Sequence, residues 1–185
     1  MQKWKVEESE IVLDSSPFFT VRREKCVLPD GLIISDYNVI SEPDIVIAFV
    51  LTDNKQVVLV EQYKHGIGQI CLEVPGGLSD GGTPLEETRR EVLEETGYAS
   101  DNWEHLCSYI NNPTRFDNHI HAFIAFDAKK VTGQHLDPAE SIRVHTMSIP
   151  DVLQAVNEGR IAAVHSIAII FQALARIQRL HDDTA

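Results

Sequence analysis

Three glutamates in one short segment, Glu91, Glu94 and Glu95, are the residues whose spacing most directly indicates chemistry. In an α-helix, Glu91 and Glu95 lie one turn apart on a shared face, with Glu94 beside them. Like charges at this spacing repel one another, so the carboxylates need water or cations around them. Carboxylate oxygens are hard ligands, which suit Mg²⁺ or Mn²⁺ better than zinc. The alternative is a solvated acidic helix face on which Glu86 pairs with Arg90.

The segment before these glutamates carries the signals of a loop followed by a helix. Glycines are frequent in the run 75–82, PGGLSDGG. Thr83 is the expected N-cap, Pro84 the first helical residue, and Glu86 the partner of Thr83 in a capping box. Gly97 is placed to end the helix. This context, a glycine-rich loop that enters a capped helix with carboxylates at its far end, favours a cation site over a solvated face.

The rest of the chain reads as strands with a few helices. The apolar run 44–51, DIVIAFVL, is typical of a strand buried on both faces. The order of elements predicts an α+β fold, an α/β/α sandwich with a mixed β-sheet between helices, preceded by a small antiparallel β unit. The expected domains are 1–42 and 43–185. Further strands are expected at 18–28, 32–40, 56–63, 69–74, 105–109, 119–127 and 142–148, and helices at 150–157 and about 163–180.

Composition and charge exclude several classes of partner. The 185 residues include 28 acidic and 16 basic side chains, which gives a net charge of −12. Non-specific nucleic-acid binding and attachment to an anionic membrane both need a basic face, so neither is expected. Cys26, Cys71 and Cys107 are odd in number and show no CxxC spacing, which predicts reduced thiols and a cytoplasmic protein. The segment 161–180 is too polar to span a bilayer.

The segment 90–98, REVLEETGY, resembles the second half of the signature of the Nudix hydrolases. That signature reads G-x5-E-x7-R-E-U-x-E-E-x-G-U, with U an aliphatic residue, and the match is almost complete. The first half departs from it. Gly82 stands where the signature has its first glutamate, and alignment on EVPGG, residues 73–77, leaves the loop one residue short. The missing glutamate usually supports the motif and does not hold the principal metal.

The resemblance implies a role for each matching residue. Glu91 and Glu95 are expected to be metal ligands, Glu94 to contribute to a further ion, and the backbone carbonyl of Gly76 to complete a site. Arg90 is expected to hold the loop against the helix. The implied cofactor is Mg²⁺ or Mn²⁺, which would neutralise a pyrophosphate while water attacks it.

The general base that activates the water must come from elsewhere in the chain. Glu140, in the segment HLDPAES, resembles the glutamate that the family carries on a mobile loop, and it is the first candidate. The alternative for Glu140 is a turn residue that faces solvent. Asp137 and Glu94 are the next candidates for the base.

Segments outside the motif resemble the ADP-ribose pyrophosphatase branch of the family: WKV, VLPDG, VVLVEQYK and LEVPGG. By that resemblance Lys64 and Glu73 contact the substrate. The branch commonly has arginine at the position of Lys64, and lysine lacks the planar fork of arginine. Arg115 is a candidate for holding a phosphate and Phe116 for stacking on a base. The alternative there is a hairpin loop anchored by a buried Phe116.

In the same branch an N-terminal β unit helps to build a homodimer and lends residues to the partner's substrate site. Phe18 or Phe19 is then expected to stack on the adenine, with Arg22 or Arg23 nearby. Both phenylalanines are equally explained as core residues of the β unit. The resemblance therefore implies a homodimer that acts on a nucleotide-type small molecule.

As a whole, the resemblance predicts a metal-dependent hydrolase that cleaves the pyrophosphate of a nucleoside diphosphate linked to another moiety. ADP-ribose, which would give AMP and ribose 5-phosphate, is the leading substrate, and a nucleotide sugar such as GDP-mannose is the second. A non-hydrolysing nucleotide-binding module of the same fold is the alternative from another class. The presence of Glu91, Glu94 and Glu95 argues against such a module, because binding a nucleotide without hydrolysis does not require a cluster of mutually repelling carboxylates.

Overall fold

The computed structural model describes residues 1–182, except for the side chain of His181. The chain divides into two compact units. The segment Ile110–His119 packs with the N-terminal residues, whereas the sequence-based boundaries assign it to the domain 43–185. The end of that expected domain, 183–185, lies outside the described residues. Unit 1 comprises Met1–Asp44 and Ile110–His119, and unit 2 comprises Ile45–Tyr109 and the described residues from Ile120 onward.

Unit 1 contains an antiparallel sheet with the strand order β1-β2-β3. The strands are β1 (Lys5–Ser15), β2 (Phe19–Val27) and β3 (Ile33–Ser41). Gly31, at φ +88°, lies in the turn between β2 and β3 that the sequence PDG predicts. β1 is not predicted from the sequence, and its residues are exposed almost throughout. A strand without a buried face has no hydrophobic period to detect.

The second segment of unit 1, Ile110–His119, lies along β3. Ile40 N donates a hydrogen bond to Arg115 O over 2.7 Å. The guanidinium of Arg22 links the segment to β2, since its Nη1 lies 2.6 Å from Asp117 Oδ2. These contacts join residues far apart in the chain, so no local pattern assigns the segment to this unit.

The remaining strands and helices lie almost wholly in unit 2. The predicted strands and helices are all present close to their expected positions. Two short strands, Gly76–Leu78 and Tyr98–Ala99, are not predicted from the sequence, because a glycine run and a two-residue pair show no alternation. The elements are β4 (Ile45–Thr52), β5 (Gln56–Lys64), β6 (Gln69–Glu73), β7 (Gly76–Leu78), α1 (Pro84–Thr96), β8 (Tyr98–Ala99), β9 (Asn102–Ile110), β10 (His119–Lys130), β11 (Ile142–Ser148), α2 (Ile149–Asn157) and α3 (Val164–Asp182).

The sheet of unit 2 is mixed. Its strands run in the order β11-β5-β4-β10-β8, with β6 paired to β5, β7 to β4 and β9 to β10. β4 and β10 are parallel, whereas β5 is antiparallel to both β4 and β11. β7 pairs with the start of β4, with Gly76 opposite Ile47. The glycine-rich run is therefore attached to the sheet shortly before α1 begins.

Helices cover both faces of this sheet. Alternate residues of β4 enter two separate cores: Phe49 belongs to the cluster with Ile169 of α3, and Val50 to the cluster with Val92 of α1. This explains why β4 is apolar throughout, and it confirms the expected α/β/α sandwich with a mixed sheet. No helix among the described residues is both long and apolar enough to cross a membrane.

Candidate active site

Helix α1 carries the three glutamates, and its ends are those that the sequence predicts. Thr83 is the N-cap and Pro84 the first helical residue. Gly97, at φ +74°, ends the helix and donates its N–H to Leu93 O at 2.8 Å. The predicted capping box is wrong in detail. The Thr83 hydroxyl makes no bond to the helix backbone and donates instead to the carboxylate of Glu86, at 2.5 Å.

Glu95 lies in the interior against the glycine-rich loop. Only 4% of it is exposed, and its Oε2 accepts a hydrogen bond from Gly76 N at 2.9 Å. Burial raises the pKa of Glu95 to about 8, against the effect of the Gly76 N–H and of Lys64. The nearby carboxylates of Glu91 and Glu140 raise the pKa further. A carboxylate in this setting is ionised at neutral pH only when a cation compensates its charge.

Two adjacent glycines leave room for these contacts. A Cβ at Gly76 would lie 2.2 Å from Val46 O, and one at Gly77 would lie 2.6 Å from Glu91 Oε2. Neither position has space for a side chain, because the backbone touches the sheet at the first glycine and the carboxylate at the second. Burial raises the pKa of Glu91 as well, while the positive charge of Arg90 opposes that rise.

Arg90 joins the loop to the helix. Its Nη2 lies 3.0 Å from Asp80 Oδ2 and 2.9 Å from Glu91 Oε1. Its Nη1 lies 3.0 Å from Glu94 Oε2. Glu86 is not among its ion-pair partners, so the helix does not form the Glu86–Arg90 pair of the solvated-face alternative. The guanidinium instead sets the positions of two carboxylates of the cluster relative to the loop.

Glu140 lies on the loop before β11. Its Oε2 accepts a hydrogen bond from Asp137 N at 3.1 Å, and its own N–H donates to Asp137 O at 2.9 Å. The charge of Glu140 raises the pKa of both Glu91 and Glu95 after the larger effect of burial. The loop therefore brings a further carboxylate close to the α1 cluster, and the Glu140 side chain stays exposed to water.

Lys64 and Glu73, on β5 and β6, form an ion pair. Lys64 Nζ lies 2.9 Å from Glu73 Oε2, and Nε2 of His165, at the start of α3, lies 3.8 Å from Glu73 Oε1. Glu73 is buried while Lys64 is partly exposed, so the ammonium group neutralises the carboxylate and still reaches solvent. Burial lowers the pKa of His165, which keeps its ring neutral at physiological pH.

A cavity of about 550 Å³ lies along β5 and β11. Its lining includes Gln134 and Ser141 but not the glutamates of α1. Gln134 connects the two regions, since its Nε2 donates to Glu95 O at 2.7 Å and to Ile142 O at 3.0 Å. The cavity therefore lies beside the loop that carries Glu140.

Arg115, a phosphate-binding candidate, lies in unit 1. Its guanidinium carbon lies 5.4 Å from the centre of the Tyr37 ring, and its Nη1 donates to Asn38 O at 3.4 Å. Phe116 is half-buried and forms a parallel bridge with Ile40. The segment is thus an ordered part of the β unit, with the guanidinium at its surface.

The aromatic candidates of unit 1 are exposed. Phe18 and Phe19 expose 67% and 37% of their surface, so the alternative that both are core residues of the β unit is wrong. Arg23 Nη1 lies 3.6 Å from Glu10 Oε1. Arg22 is held inside the unit by its contact with Asp117, so Arg23 is the more accessible arginine of the two.

The donor set beside the loop suits a hard divalent cation. Between residues 1 and 182, no three His, Cys, Asp or Glu side chains converge tightly enough to form a ready-made metal site. Glu91 and Glu95 nevertheless meet the backbone of Gly76 and Gly77, and burial raises the pKa of both carboxyls. Mg²⁺ binds through one or two carboxylates and keeps several waters, so two desolvated glutamates next to a loop fit it.

Comparison with known proteins adds independent evidence. A family model of the NUDIX domain matches residues 42–166, and a model of the nucleoside diphosphate sugar hydrolase N-terminal domain matches residues 4–40. The first match spans more than half of the chain. The chain belongs to the Nudix family. This confirms the expectation of a Nudix hydrolase that the segment 90–98 raised, and Nudix hydrolases in general need a divalent metal.

Curated relatives of this Nudix chain cover most of its length. A methanol dehydrogenase activator from Bacillus methanolicus is 32% identical over 136 residues, which are 72% of this chain and 73% of the relative. An ADP-ribose pyrophosphatase from Bacillus subtilis is 27% identical over 135 residues, 72% of each chain. Among solved structures, an ADP compounds hydrolase superposes with a TM-score of 0.86 over 97% of both chains at 19% identity. That superposition shows the Nudix fold.

Three residues around the Nudix glutamates are not predicted from the sequence: Asp80, Gln134 and His165. Their contacts join separate segments, so no motif marks them. For Glu87 the sequence offered one signal, its position on the glutamate-bearing face of α1 one turn before Glu91. The structure shows that the Glu87 carboxylate bonds to the loop backbone and not to the cluster.

Proposed function

We propose that this Nudix hydrolase cleaves the pyrophosphate of a nucleoside diphosphate linked to a sugar, with ADP-ribose as leading substrate and AMP and ribose 5-phosphate as products. The observation that carries the proposal is the placement of Glu91 and Glu95 against the glycine backbone, where a cation is needed to balance their charge. The match to a nucleoside diphosphate sugar hydrolase N-terminal domain and the similarity to an ADP-ribose pyrophosphatase support the substrate class.

The proposed cofactor is Mg²⁺ or Mn²⁺. Glu91, Glu95 and the carbonyl of Gly76 would hold it, and Glu94 would contribute to a further ion. When bound, the metal would neutralise charge on the pyrophosphate oxygens. Arg90 contributes by keeping two of these carboxylates in place, through its contacts at 2.9 Å and 3.0 Å.

Glu140 is proposed as the general base. Its carboxylate is exposed and close enough to Glu91 and Glu95 to raise the pKa of both. In this role it takes a proton from the water that attacks phosphorus. Glu94 is paired with Arg90, and the backbone of Asp137 is hydrogen-bonded to Glu140. We therefore rank both behind Glu140 as candidates for the general base.

Further residues are proposed to contact the substrate. Lys64 would meet a phosphate as a point charge, and Glu73 holds its ammonium group in place at 2.9 Å. In unit 1, Phe19 offers an exposed ring for a base, while Arg23 and Arg115 offer guanidinium groups at the surface. A homodimer built through unit 1 and a cytoplasmic location complete the proposal.

A nucleotide sugar of another base, such as GDP-mannose, is the second candidate substrate. The N-terminal match supports it, because that model is named for nucleoside diphosphate sugar hydrolases in general. Both candidate substrates contain the pyrophosphate linkage that a metal held by the carboxylate cluster would help to cleave. They differ in base and sugar, which are recognised by side chains outside that cluster.

The test is hydrolysis of a substrate panel: ADP-ribose, GDP-mannose, NADH, diadenosine polyphosphates and deoxynucleoside triphosphates. Each is incubated with Mg²⁺, Mn²⁺ or EDTA, and released phosphate is measured after phosphatase treatment. We expect metal-dependent cleavage of ADP-ribose. Glu95→Gln should lower this activity about a hundredfold or more, because the ligand charge is lost while the side-chain volume is kept.

Glu86→Gln is the matched control, since Glu86 lies on the same helix, is exposed, and bonds to Thr83 and not to the loop. It should retain wild-type activity. Faster cleavage of GDP-mannose than of ADP-ribose would replace the leading substrate. Nucleotide binding without turnover of any panel member would contradict the hydrolase and indicate a non-hydrolysing module.

A further inference from the structure

Gly82 stands where the Nudix signature has a glutamate, yet the structure places a different carboxylate beside it. The side chain of Glu87, on α1, is buried, with only 6% of it exposed. Its Oε1 accepts hydrogen bonds from Asp80 N at 2.8 Å and from Gly82 N at 2.7 Å. One carboxylate oxygen thus links two backbone amides of the shortened loop to the helix.

Both bonds to Glu87 come from backbone N–H donors, which favour the ionised form of a carboxylate. Burial opposes ionisation, but the hydrogen bonds from the loop outweigh it and lower the pKa of Glu87 below its usual range. Bonds from backbone N–H groups to a carboxylate are stronger than those between neutral groups. The loop is therefore held by charge-assisted bonds.

The anchored loop leads to the metal-site carboxylates through one arginine. Asp80 donates its N–H to Glu87, and its own Oδ2 lies 3.0 Å from Arg90 Nη2. The same guanidinium lies 2.9 Å from Glu91 and 3.0 Å from Glu94. A shift of the loop backbone at Asp80 would therefore change the position of two carboxylates on α1.

Glu87 and Gly82 also fit each other sterically. A Cβ at Gly82 would lie 3.0 Å from Glu87 Oε1 and 3.3 Å from its Cγ. A side chain at position 82 would enter the volume that the Glu87 carboxylate fills. A glycine at position 82 therefore leaves the space that the buried carboxylate of Glu87 occupies.

We propose that Glu87 is a positioning residue that replaces the signature's first glutamate, holding the shortened loop so that Arg90, Glu91 and Glu94 are set for the divalent cation. This inference rests on the proposed function, because it assigns the cluster to a metal. Glu87 would act through its bond to Asp80 and the contact of Asp80 with Arg90. Glu87 itself would not contact the substrate.

The test compares Glu87→Ala with Glu87→Gln, which keeps an acceptor oxygen for the two amides. Hydrogen exchange of the Asp80 and Gly82 amides is followed by NMR, and Mn²⁺ binding by the EPR signal of the free ion. We expect Glu87→Ala to speed both exchanges and to raise the half-saturating Mn²⁺ concentration about tenfold or more. Glu87→Gln, which keeps the acceptor oxygen but loses the charge, should weaken Mn²⁺ binding less than Glu87→Ala does.

Glu86→Ala is the matched control, since it removes a neighbouring exposed carboxylate from the same helix turn. It should bind Mn²⁺ as the wild type does. The double variant G82E/E87A places a carboxylate back in the vacated volume and should recover most of the Mn²⁺ affinity lost in E87A. This double variant also tests the inference if E87A alone does not fold.

Unchanged Mn²⁺ binding in E87A, or a loss in E87Q as large as in E87A, would overturn the inference. The same holds if the wild type binds no Mn²⁺. If the wild type binds Mn²⁺ and E87A weakens that binding, the inference stands even where no panel substrate is cleaved. In that case only the proposed function fails.

Discussion

At the scale of single residues, the candidate site consists of carboxylates that the fold removes from water. Glu95 accepts a hydrogen bond from Gly76 N, and Glu91 touches Gly77, while Arg90 is the cation in direct contact with Glu91. Burial disfavours the ionised state of Glu91 and Glu95 and raises the pKa of both, and repulsion between neighbouring carboxylates adds to that rise. A divalent cation would reverse this, because it favours the ionised form of every ligand.

In the absence of metal, the stability of the protein should depend on pH through Glu95. Since Glu95 holds its proton in the native state up to a pKa of about 8 and releases it near 4.5 when unfolded, the native state binds more protons between these values. The free energy of unfolding should therefore fall as pH rises from 5 to 8, by at most about 1.4 kcal/mol per pH unit. Denaturant unfolding in EDTA measures this slope.

Glu95→Gln should have a much shallower slope and should be more stable than the wild type at pH 8, because its side chain has no charge to desolvate. Addition of Mg²⁺ should stabilise the wild type at pH 8 and leave Glu95→Gln nearly unchanged. Equal slopes for the two proteins in EDTA would contradict the assignment of the raised pKa to this carboxyl.

At the scale of elements, a glycine fixes the C-terminal end of α1, which is the end that carries Glu91, Glu94 and Glu95. Gly97 adopts φ +74°, and its carbonyl accepts hydrogen bonds from Val131 N at 2.9 Å and Thr132 N at 3.3 Å. A Cβ at Gly97 would lie 2.3 Å from Thr132 O, which is a backbone atom. The end of the helix therefore packs directly against the segment that follows β10.

Gly97→Ala should lower the free energy of unfolding by at least about 2 kcal/mol, from left-handed strain and the backbone clash together. Gly133→Ala is the control, because a Cβ at Gly133 meets no atom within 4 Å. Thermal unfolding followed by circular dichroism compares the two. A Gly97→Ala protein as stable as the Gly133→Ala protein would show that the helix end is not constrained.

At the scale of the whole molecule, the three-stranded sheet of unit 1 exposes large apolar side chains to solvent. Ile11, Leu13 and Phe18 are all more than two-fifths exposed on β1 and the turn after it. Exposed apolar strands of this kind are typical of surfaces that associate. This is the structural support for the proposed homodimer.

The homodimer predicts a mass of about twice the chain mass of 20.7 kDa by light scattering after size exclusion. Replacing both Ile11 and Leu13 by glutamate should shift the protein to the monomer, because charge cannot be buried at the interface without a partner. Ile67→Glu, which changes an exposed isoleucine of unit 2, is the control and should remain dimeric. A monomeric wild type would refute the dimer.

Most elements of unit 2 were predictable because their local patterns agree with their environment. β4 is apolar on both faces since it lies between two cores, and α1 has Thr83, Pro84 and Gly97 at its ends. β1 was not predictable, since both of its faces are exposed and its residues show no period. The membership of Ile110–His119 in unit 1 depends on non-local bonds to β3.

The family, the sandwich fold and the clustering of Glu91, Glu94 and Glu95 can be predicted from the sequence, because they follow from local periodicity and a long motif. How the departure at Gly82 is accommodated can be seen only in the folded chain. The carboxylate of Glu87 reaches the loop amides because α1 folds back against that loop. Contacts of this kind depend on segments brought together by packing, and no one-dimensional spacing records them.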